Sequence, residues 1–279
     1  MTRRQFAVFG NPIGHSRSPE IHHAFADALG HDISYVRIEA SLDPGGFAAA
    51  IAAFRHAGGA GCNVTVPFKR EAFHLATEVS PEARCGAANT LTFADNVDGG
   101  IRADNTDGIG LVRDVRDNLG IRIRGQRVLI VGAGGAARSV VGALATEEPQ
   151  RLALVNRSID RAHQLATDLR GATGADVVEV IDLARLPAHR FDIIINATSA
   201  SLSESLPLVP FSCFGSGAFA YDMMYGKGLT PFLALARNAG AQVADGVGML
   251  VEQAAEAYRI WHGVKPITAP IIAKLAKPL

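Results

Sequence analysis

Two stretches carry residues whose types and spacing could do chemistry. In Gly61-Cys62-Asn63-Val64-Thr65-Val66-Pro67, alternation predicts a strand with Asn63 and Thr65 on one face and Pro67 ending it. Lys69 then falls just past the carboxyl end of that strand, where parallel α/β sheets bind ligands. A lysine after a strand is a solvated cation by default, and Lys69 on its own reads that way. The second stretch is Arg127-Val-Leu-Ile-Val131, running into Gly132-Ala133-Gly134-Gly135-Ala136-Ala137 and an alanine-rich helical segment. Gly132, Gly134 and Ala137 fit the dinucleotide fingerprint. Gly132 can take backbone angles closed to side chains. Gly134 lets N–H groups approach a pyrophosphate, which a helix N-terminus then receives with free donors and a positive dipole end. A readable strand before the turn and helix after it favour a dinucleotide site over a plain turn.

The same unit carries a clue to which dinucleotide. A fingerprint specific for NAD places Asp or Glu about 20 residues on, at the end of the second strand, to hold the ribose hydroxyls. Here the strand Arg151–Val155 ends in Asn156-Arg157-Ser158, with Arg161 four residues after Arg157 and expected on the same helix face. Cations replace the carboxylate. Two arginines at a helix start are mildly disfavoured by the dipole, so an anionic ligand explains them better than solvent does.

Those residues need elements to hold them. Phe6 to Phe9 predicts a strand, and Ser18-Pro19 an N-cap and first helical position before a helix through Ile21, Phe25 and Ala28. Tyr35–Ala40 and Asn89–Phe93 predict further strands, with a helix through Phe47, Ile51 and Phe54. This β-α-β-α-β order implies a mainly parallel sheet covered by helices. Asp104-Asn-Thr-Asp107-Gly108 opens a helix; on the residues alone Asp107 reads equally as its cap or as a catalytic group. A doubly wound unit follows, with strands near Arg151–Val155, Val177–Ile181, Phe191–Ile195 and Ala218–Asp222. Two helices near Met249–His262 and Ala269–Ala276 come after the last expected strand. The expected domains are 1–107, 108–245 and a C-terminal pair of helices, 246–279, that returns to cover the first.

Composition excludes several classes. The chain has 279 residues, 48% of them apolar, enough for two cores. Zero formal net charge and a pI near 7.1 leave no basic field for nucleic acid or an anionic membrane. No apolar run approaches a membrane span, and Phe6–Phe9 is too short for a signal-peptide core. Three scattered cysteines without a C-x-x-C pair read as reduced thiols, so a cytoplasmic protein is expected. Cys62 and Cys85 read as small buried hydrophobes. The nine histidines form no ligand spacing, and no metal site is expected.

The stretches Gly10-Asn-Pro-Ile-Gly-His-Ser16-Arg-Ser18-Pro19, Asn63-Val-Thr65-Val-Pro-Phe-Lys69, Gly86-Ala-Ala-Asn89-Thr90, Asp104-Asn-Thr-Asp107-Gly108, Gly132-Ala-Gly-Gly-Ala136, Asn156-Arg157-Ser158, Asn196-Ala-Thr198-Ser199, Tyr221-Asp-Met223-Met-Tyr225 and Asp245-Gly246-Val-Gly-Met249-Leu-Val-Glu-Gln253 resemble, in this order and over nearly the whole chain, the shikimate dehydrogenase family. Each is ordinary alone; together and in register they are specific. The resemblance implies a two-domain α/β enzyme that reduces 3-dehydroshikimate to shikimate with NADP, in a chain without nucleic acid or membrane partners, alone or as a homodimer. It implies Lys69 and Asp107 as the catalytic pair. Ser16, Ser18 and Tyr225 would bind the substrate carboxylate, and Thr65, Asn89, Asp107 and Gln253 the ring hydroxyls. Gly132, Ala133, Gly134, Gly135, Ala136, Asn156, Arg157, Ser158 and Arg161 would hold NADP, with Met223 and Gly246 by the nicotinamide. A free lysine titrates near ~10.4, so acid–base work by Lys69 needs its surroundings to tune it.

Three positions depart from the family's usual residues: Ser158 for Thr, Ser201 for Gly and Lys227 for Pro. A relative preferring quinate or aminoshikimate is the nearest alternative activity. A regulator that binds NADP or shikimate without turnover is the alternative from another class, and the intact Lys69 and Asp107 speak against it. A methyltransferase reading of the glycine turn leaves Arg157 and the first domain unexplained.

Overall fold

The structure, a computed structural model, describes residues 3–94, 99–174, 176–198 and 208–279. In chain order the first elements are β1 (Arg4–Gly10), α1 (Ser18–Leu29), β2 (Ile33–Glu39), α2 (Gly46–His56), β3 (Gly59–Val64), α3 (Lys69–Leu75), β4 (Glu78–Val79), β5 (Thr90–Phe93) and β6 (Ile101–Asp104). There follow α4 (Asp107–Arg113), β7 (Arg127–Val131), α5 (Gly135–Thr146), β8 (Arg151–Val155), α6 (Ile159–Thr173), β9 (Glu179–Val180), β10 (Phe191–Asn196), β11 (Phe214–Asp222), α7 (Pro231–Asn238), β12 (Gln242–Asp245), α8 (Val247–His262) and α9 (Ala269–Leu275). Among the described residues no helix is long and apolar enough to cross a membrane.

The chain forms two α/β units, Met1–Asp107 with Val251–Ile271, and Gly108–Leu250 with Ile272–Leu279. In the first, the sheet order is β2-β1-β3-β5-β6-β4. β1 pairs in parallel with β2 and β3, whereas β5 runs antiparallel to both β3 and β6. The period-two alternation of β1 serves two covered faces. Ala7 and Phe9 join Phe47, Ile51, Phe54 and Phe68 in one core, while Phe6 stacks on Trp261 of α8 with ring centroids 4.6 Å apart. A Cβ on Gly61 would lie 2.7 Å from both the Leu91 carbonyl and Trp261 Nε1. Glycine at 61 therefore makes room for the indole, which donates to that carbonyl at 3.3 Å.

The second sheet, β12-β11-β10-β7-β8-β9, is parallel throughout. Its apolar strands meet Phe232, Leu233 and Ala236 of α7 in one core, against which Leu279 also packs.

Several local expectations are corrected. β3 stops at Val64 instead of reaching Pro67. Thr65 N–H still reaches the Phe9 carbonyl of β1, but its own carbonyl accepts from Phe68 N–H at 3.0 Å, closing a turn that contains the cis Val66–Pro67 bond. Ser18 is the first residue of α1 and not its cap. The hydroxyl that receives a backbone donor there belongs to Ser16, which accepts from Ser18 N–H at 3.3 Å. Strands β4, β6 and β12 were not expected. The C-terminal segment does not act as one piece: Val251–Ile271 belongs to the first unit, but residues 246–250 and 272–279 belong to the second. There Lys277 Nζ donates to the Gly226 carbonyl at 3.3 Å and holds the end of the chain. Ser201 lies outside the described residues.

Candidate active site

In the first unit, Lys69 opens α3 and Asp107 opens α4. The Lys69 ammonium donates to Asp107 Oδ2, and the two side chains are only 16% and 9% exposed. A lysine so enclosed and paired is not the solvated cation expected of Lys69 alone. Asp107 is not spent on capping: side chains hold its carboxylate oxygens, Lys69 at Oδ2 and Asn89 at Oδ1, while Asn105 Oδ1 accepts from its N–H at 3.2 Å. Asn89 Nδ2 donates to Asp107 Oδ1 at 2.7 Å and lies 3.4 Å from Gln253 Oε1 of α8. The structure thus brings Lys69, Asp107, Asn89 and Gln253 into one group. The sequence reading missed Thr106, whose N–H donates to Asn89 Oδ1 at 2.8 Å. Its position between Asn105 and Asp107 was the only available signal.

Ser16 and Ser18 form a pair of their own, with hydroxyl oxygens 3.2 Å apart. Their loop is gripped by Arg37 of β2, which donates to the Ser16 carbonyl through Nε at 2.8 Å. Thr65 is half-buried on the turn after β3, with its N–H on the Phe9 carbonyl at 2.8 Å. A Cβ on Gly10 would sit 2.5 Å from the Thr65 methyl, so glycine there allows this close approach. Burial pushes the Cys62 thiol well above its ordinary value, which leaves it inert as a nucleophile.

In the second unit the glycine turn is built as its sequence requires. Gly132 has φ +111°, and a Cβ there would meet the Thr198 methyl at 2.9 Å. Thr198 is fixed in turn by its hydroxyl on Asn196 Oδ1 at 2.7 Å. Gly134, by contrast, has an ordinary φ of −84°, and a Cβ on Gly134 or Gly135 would touch nothing. Neither backbone geometry nor protein packing demands glycine at those two positions; the open space suits a ligand lying against the backbone. No side chain caps α5, and its first backbone bond runs from Arg138 N–H to the Gly134 carbonyl at 3.0 Å. The preceding N–H groups remain available to an anion.

Asn156 Oδ1 accepts from Ala133 N–H at 3.2 Å, and its Nδ2 donates to the Ser158 carbonyl at 2.8 Å. It ties the glycine turn to the loop after β8. Arg157 and Arg161 are exposed and make no ion pair or hydrogen bond among the described residues. Arg157 precedes α6, whose cap is Ser158, so helical spacing does not relate it to Arg161 as expected. Met223 N–H bonds the Asn196 carbonyl at 3.0 Å. A Cβ on Gly246 would fall 2.4 Å from the Met223 carbonyl, so no side chain fits there. Tyr225 is half-buried on the loop after β11.

A glycine-turn parallel sheet and an enclosed lysine–carboxylate pair in one chain are the equipment of a nicotinamide-dependent oxidoreductase. Comparison with known proteins makes the class specific. Residues 8–91 match the family model for the shikimate dehydrogenase substrate binding domain, 114–204 that for shikimate / quinate 5-dehydrogenase, and 246–275 that for the shikimate 5'-dehydrogenase C-terminal domain. The chain is 50% identical to the shikimate dehydrogenase (NADP(+)) of Aromatoleum aromaticum, over 100% of this chain and 99% of that one. A crystal structure of an Ael1 enzyme from Pseudomonas putida superposes with a TM-score of 0.88 at 45% identity, covering 99% of each chain. Shikimate 5-dehydrogenase from Thermus thermophilus, solved in complex with NADP(H) and shikimate, gives 0.84 at 30% identity over 97% of each. This chain belongs to the shikimate dehydrogenase family.

Proposed function

We infer that this chain is an NADP-dependent shikimate dehydrogenase, interconverting 3-dehydroshikimate and shikimate in the biosynthesis of chorismate and the aromatic amino acids. The observation that carries the reading is the enclosed contact of Lys69 Nζ with Asp107 Oδ2, with Asn89 on the other carboxylate oxygen. When bound, NADPH supplies the hydride. Reduction also needs a proton at the oxygen of the carbonyl being reduced, and Lys69 Nζ delivers it; in the reverse direction the same amine takes the hydroxyl proton. Asp107 orients the ammonium, and with Thr65, Asn89 and Gln253 it holds the ring hydroxyls. Ser16, Ser18 and Tyr225 receive the carboxylate with neutral donors. The turn Gly132–Ala136 takes the pyrophosphate, Asn156, Arg157, Ser158 and Arg161 take the adenosine end, and Met223 and Gly246 flank the nicotinamide. The three cysteines are buried free thiols, which suits a reducing cytoplasm.

Lys69→Ala tests the assignment. It should lower kcat by roughly 10²–10⁴ with a smaller change in KM, the signature of a lost acid–base group. Retention of most of kcat would remove Lys69 from the chemistry. Shikimate and quinate assayed side by side would separate the proposed activity from a quinate-preferring one.

A further inference from the structure

Behind Asn89 lies a chain of buried side chains whose donor and acceptor roles can be assigned without ambiguity. The backbone N–H of Thr106 can only donate, and it points at Asn89 Oδ1 from 2.8 Å. Nδ2 of Asn89 therefore faces Asp107 Oδ1. At the far end, Asn63 lies between Tyr35, Thr90 and the Asn89 carbonyl. That carbonyl can only accept, so the atom 3.2 Å from it is Nδ2 of Asn63. Oδ1 of Asn63 then receives the Tyr35 hydroxyl at 2.6 Å, and burial raises the Tyr35 titration well above its ordinary value, keeping that donor protonated. The second proton of Asn63 Nδ2 goes to Thr90 Oγ1 at 3.1 Å. Thr90 Oγ1 is left with one hydrogen, and Asn89 Oδ1 lies 2.9 Å away to receive it.

Resting on the reading of Lys69 and Asp107 as the catalytic pair, we infer that Thr90 is a positioning residue. Its fully buried hydroxyl, oriented by Asn63, clamps the Asn89 amide so that Nδ2 holds Asp107 Oδ1 and leaves Oδ2 to Lys69. Thr106 shares the clamp through its N–H and through a hydroxyl 3.2 Å from Asn89 Oδ1 and 3.0 Å from Nδ2; that N–H survives any side-chain change, whereas Thr90 contributes its hydroxyl alone. Thr90→Val keeps the shape and removes the bond.

The test is a double-mutant cycle on kcat with Asp107→Asn, with thermal melts run in parallel. Thr90→Val should lower kcat about 5- to 30-fold, the effect of one buried hydrogen bond. Thr90→Ser, which restores the hydroxyl, should recover activity to within about twofold of the parent. In the Asp107→Asn background, Thr90→Val should change kcat by less than about twofold, because its effect is routed through Asp107. If Thr90→Val melts as a misfolded protein, Thr90→Ala is read in the same cycle. Equal losses in both backgrounds, or no loss in the parent, would overturn the clamp while leaving the catalytic pair standing. An Asp107→Asn enzyme with undiminished kcat would overturn the pair, and the clamp with it.

Discussion

Arg157 and Arg161 are exposed cations without protein partners among the described residues, at the edge of a site with open space against the backbone. The adenosine 2′-phosphate is the only group by which NADP differs from NAD, so discrimination has to come from residues placed like these. Arg157→Ala should weaken NADPH binding by roughly 10- to 150-fold, the worth of one charge-assisted hydrogen bond. NADH binding, measured by the same fluorescence titration, should be nearly unchanged. Equal weakening of both would locate the phosphate elsewhere. High salt should also weaken NADPH binding, because exposed charges are screened. This part of the proposed site rests on a local signal: a glycine turn, then a strand end with arginine in place of a carboxylate. The Asn63–Thr90–Asn89 chain was not legible, because Asn63 on β3 meets Thr90 and its neighbour Asn89 only through the antiparallel pairing of β3 with β5. Thr90 closes the stretch Gly86-Ala-Ala-Asn89-Thr90, but its residue type alone reads as a strand residue chosen for β-propensity.

Among the elements, α8 depends for its place on a missing side chain. Gly61→Ala would set a methyl 2.7 Å from a backbone carbonyl and from the indole that bonds it, so α8 or β5 has to shift. We expect a loss of about 1–3 kcal/mol, as for overpacking in a tight core, seen as a fall of about 2–4 °C in Tm per kcal/mol. A variant that melts like the parent would show that the indole is not seated in that notch. Strands β1, β7, β8 and β10 were readable from their apolar runs. β9 was expected near Val177–Ile181 and forms over only two of those residues, whereas β4, also two residues long and held by its neighbour in the ladder, went unread. β6 and β12 are four residues long and half charged or polar, Arg102 and Asp104 in one and Gln242 and Asp245 in the other, which hides the apolar pattern. The early end of β3 was set by hydrogen bonds of the following turn, which composition does not record.

On the scale of the whole molecule, acid should act through two imidazoles, His22 buried and His262 half-buried. Burial lowers His22 to about 3 and His262 to about 4, the latter helped by Arg4 and His31. Both lie below the ~6.5 of an unfolded histidine. The unfolded chain therefore binds these protons first as pH falls. Their contribution to stability is complete above about pH 6.5 and is lost as pH drops toward 4, by at most about 1.4 kcal/mol per pH unit for each ring. Melting curves across that range should show the slope, and His22→Phe should flatten it; an unaltered slope would assign the acid sensitivity to other groups. These rings lie where the two pieces of the first unit meet, Met1–Asp107 and Val251–Ile271. On a ribosome those pieces are made far apart in time. At about 5–20 residues per second, the first sheet waits on the order of ten seconds or more for the helix whose tryptophan fills the gap at Gly61. Through that interval Phe6 and the Gly61 notch face outward, a ready surface for a chaperone. The second sheet, all of whose strands lie between Arg127 and Asp245, has what it needs to assemble before that helix is made, so the sheet begun later is the first that can be covered, although its unit closes only with residues 272–279.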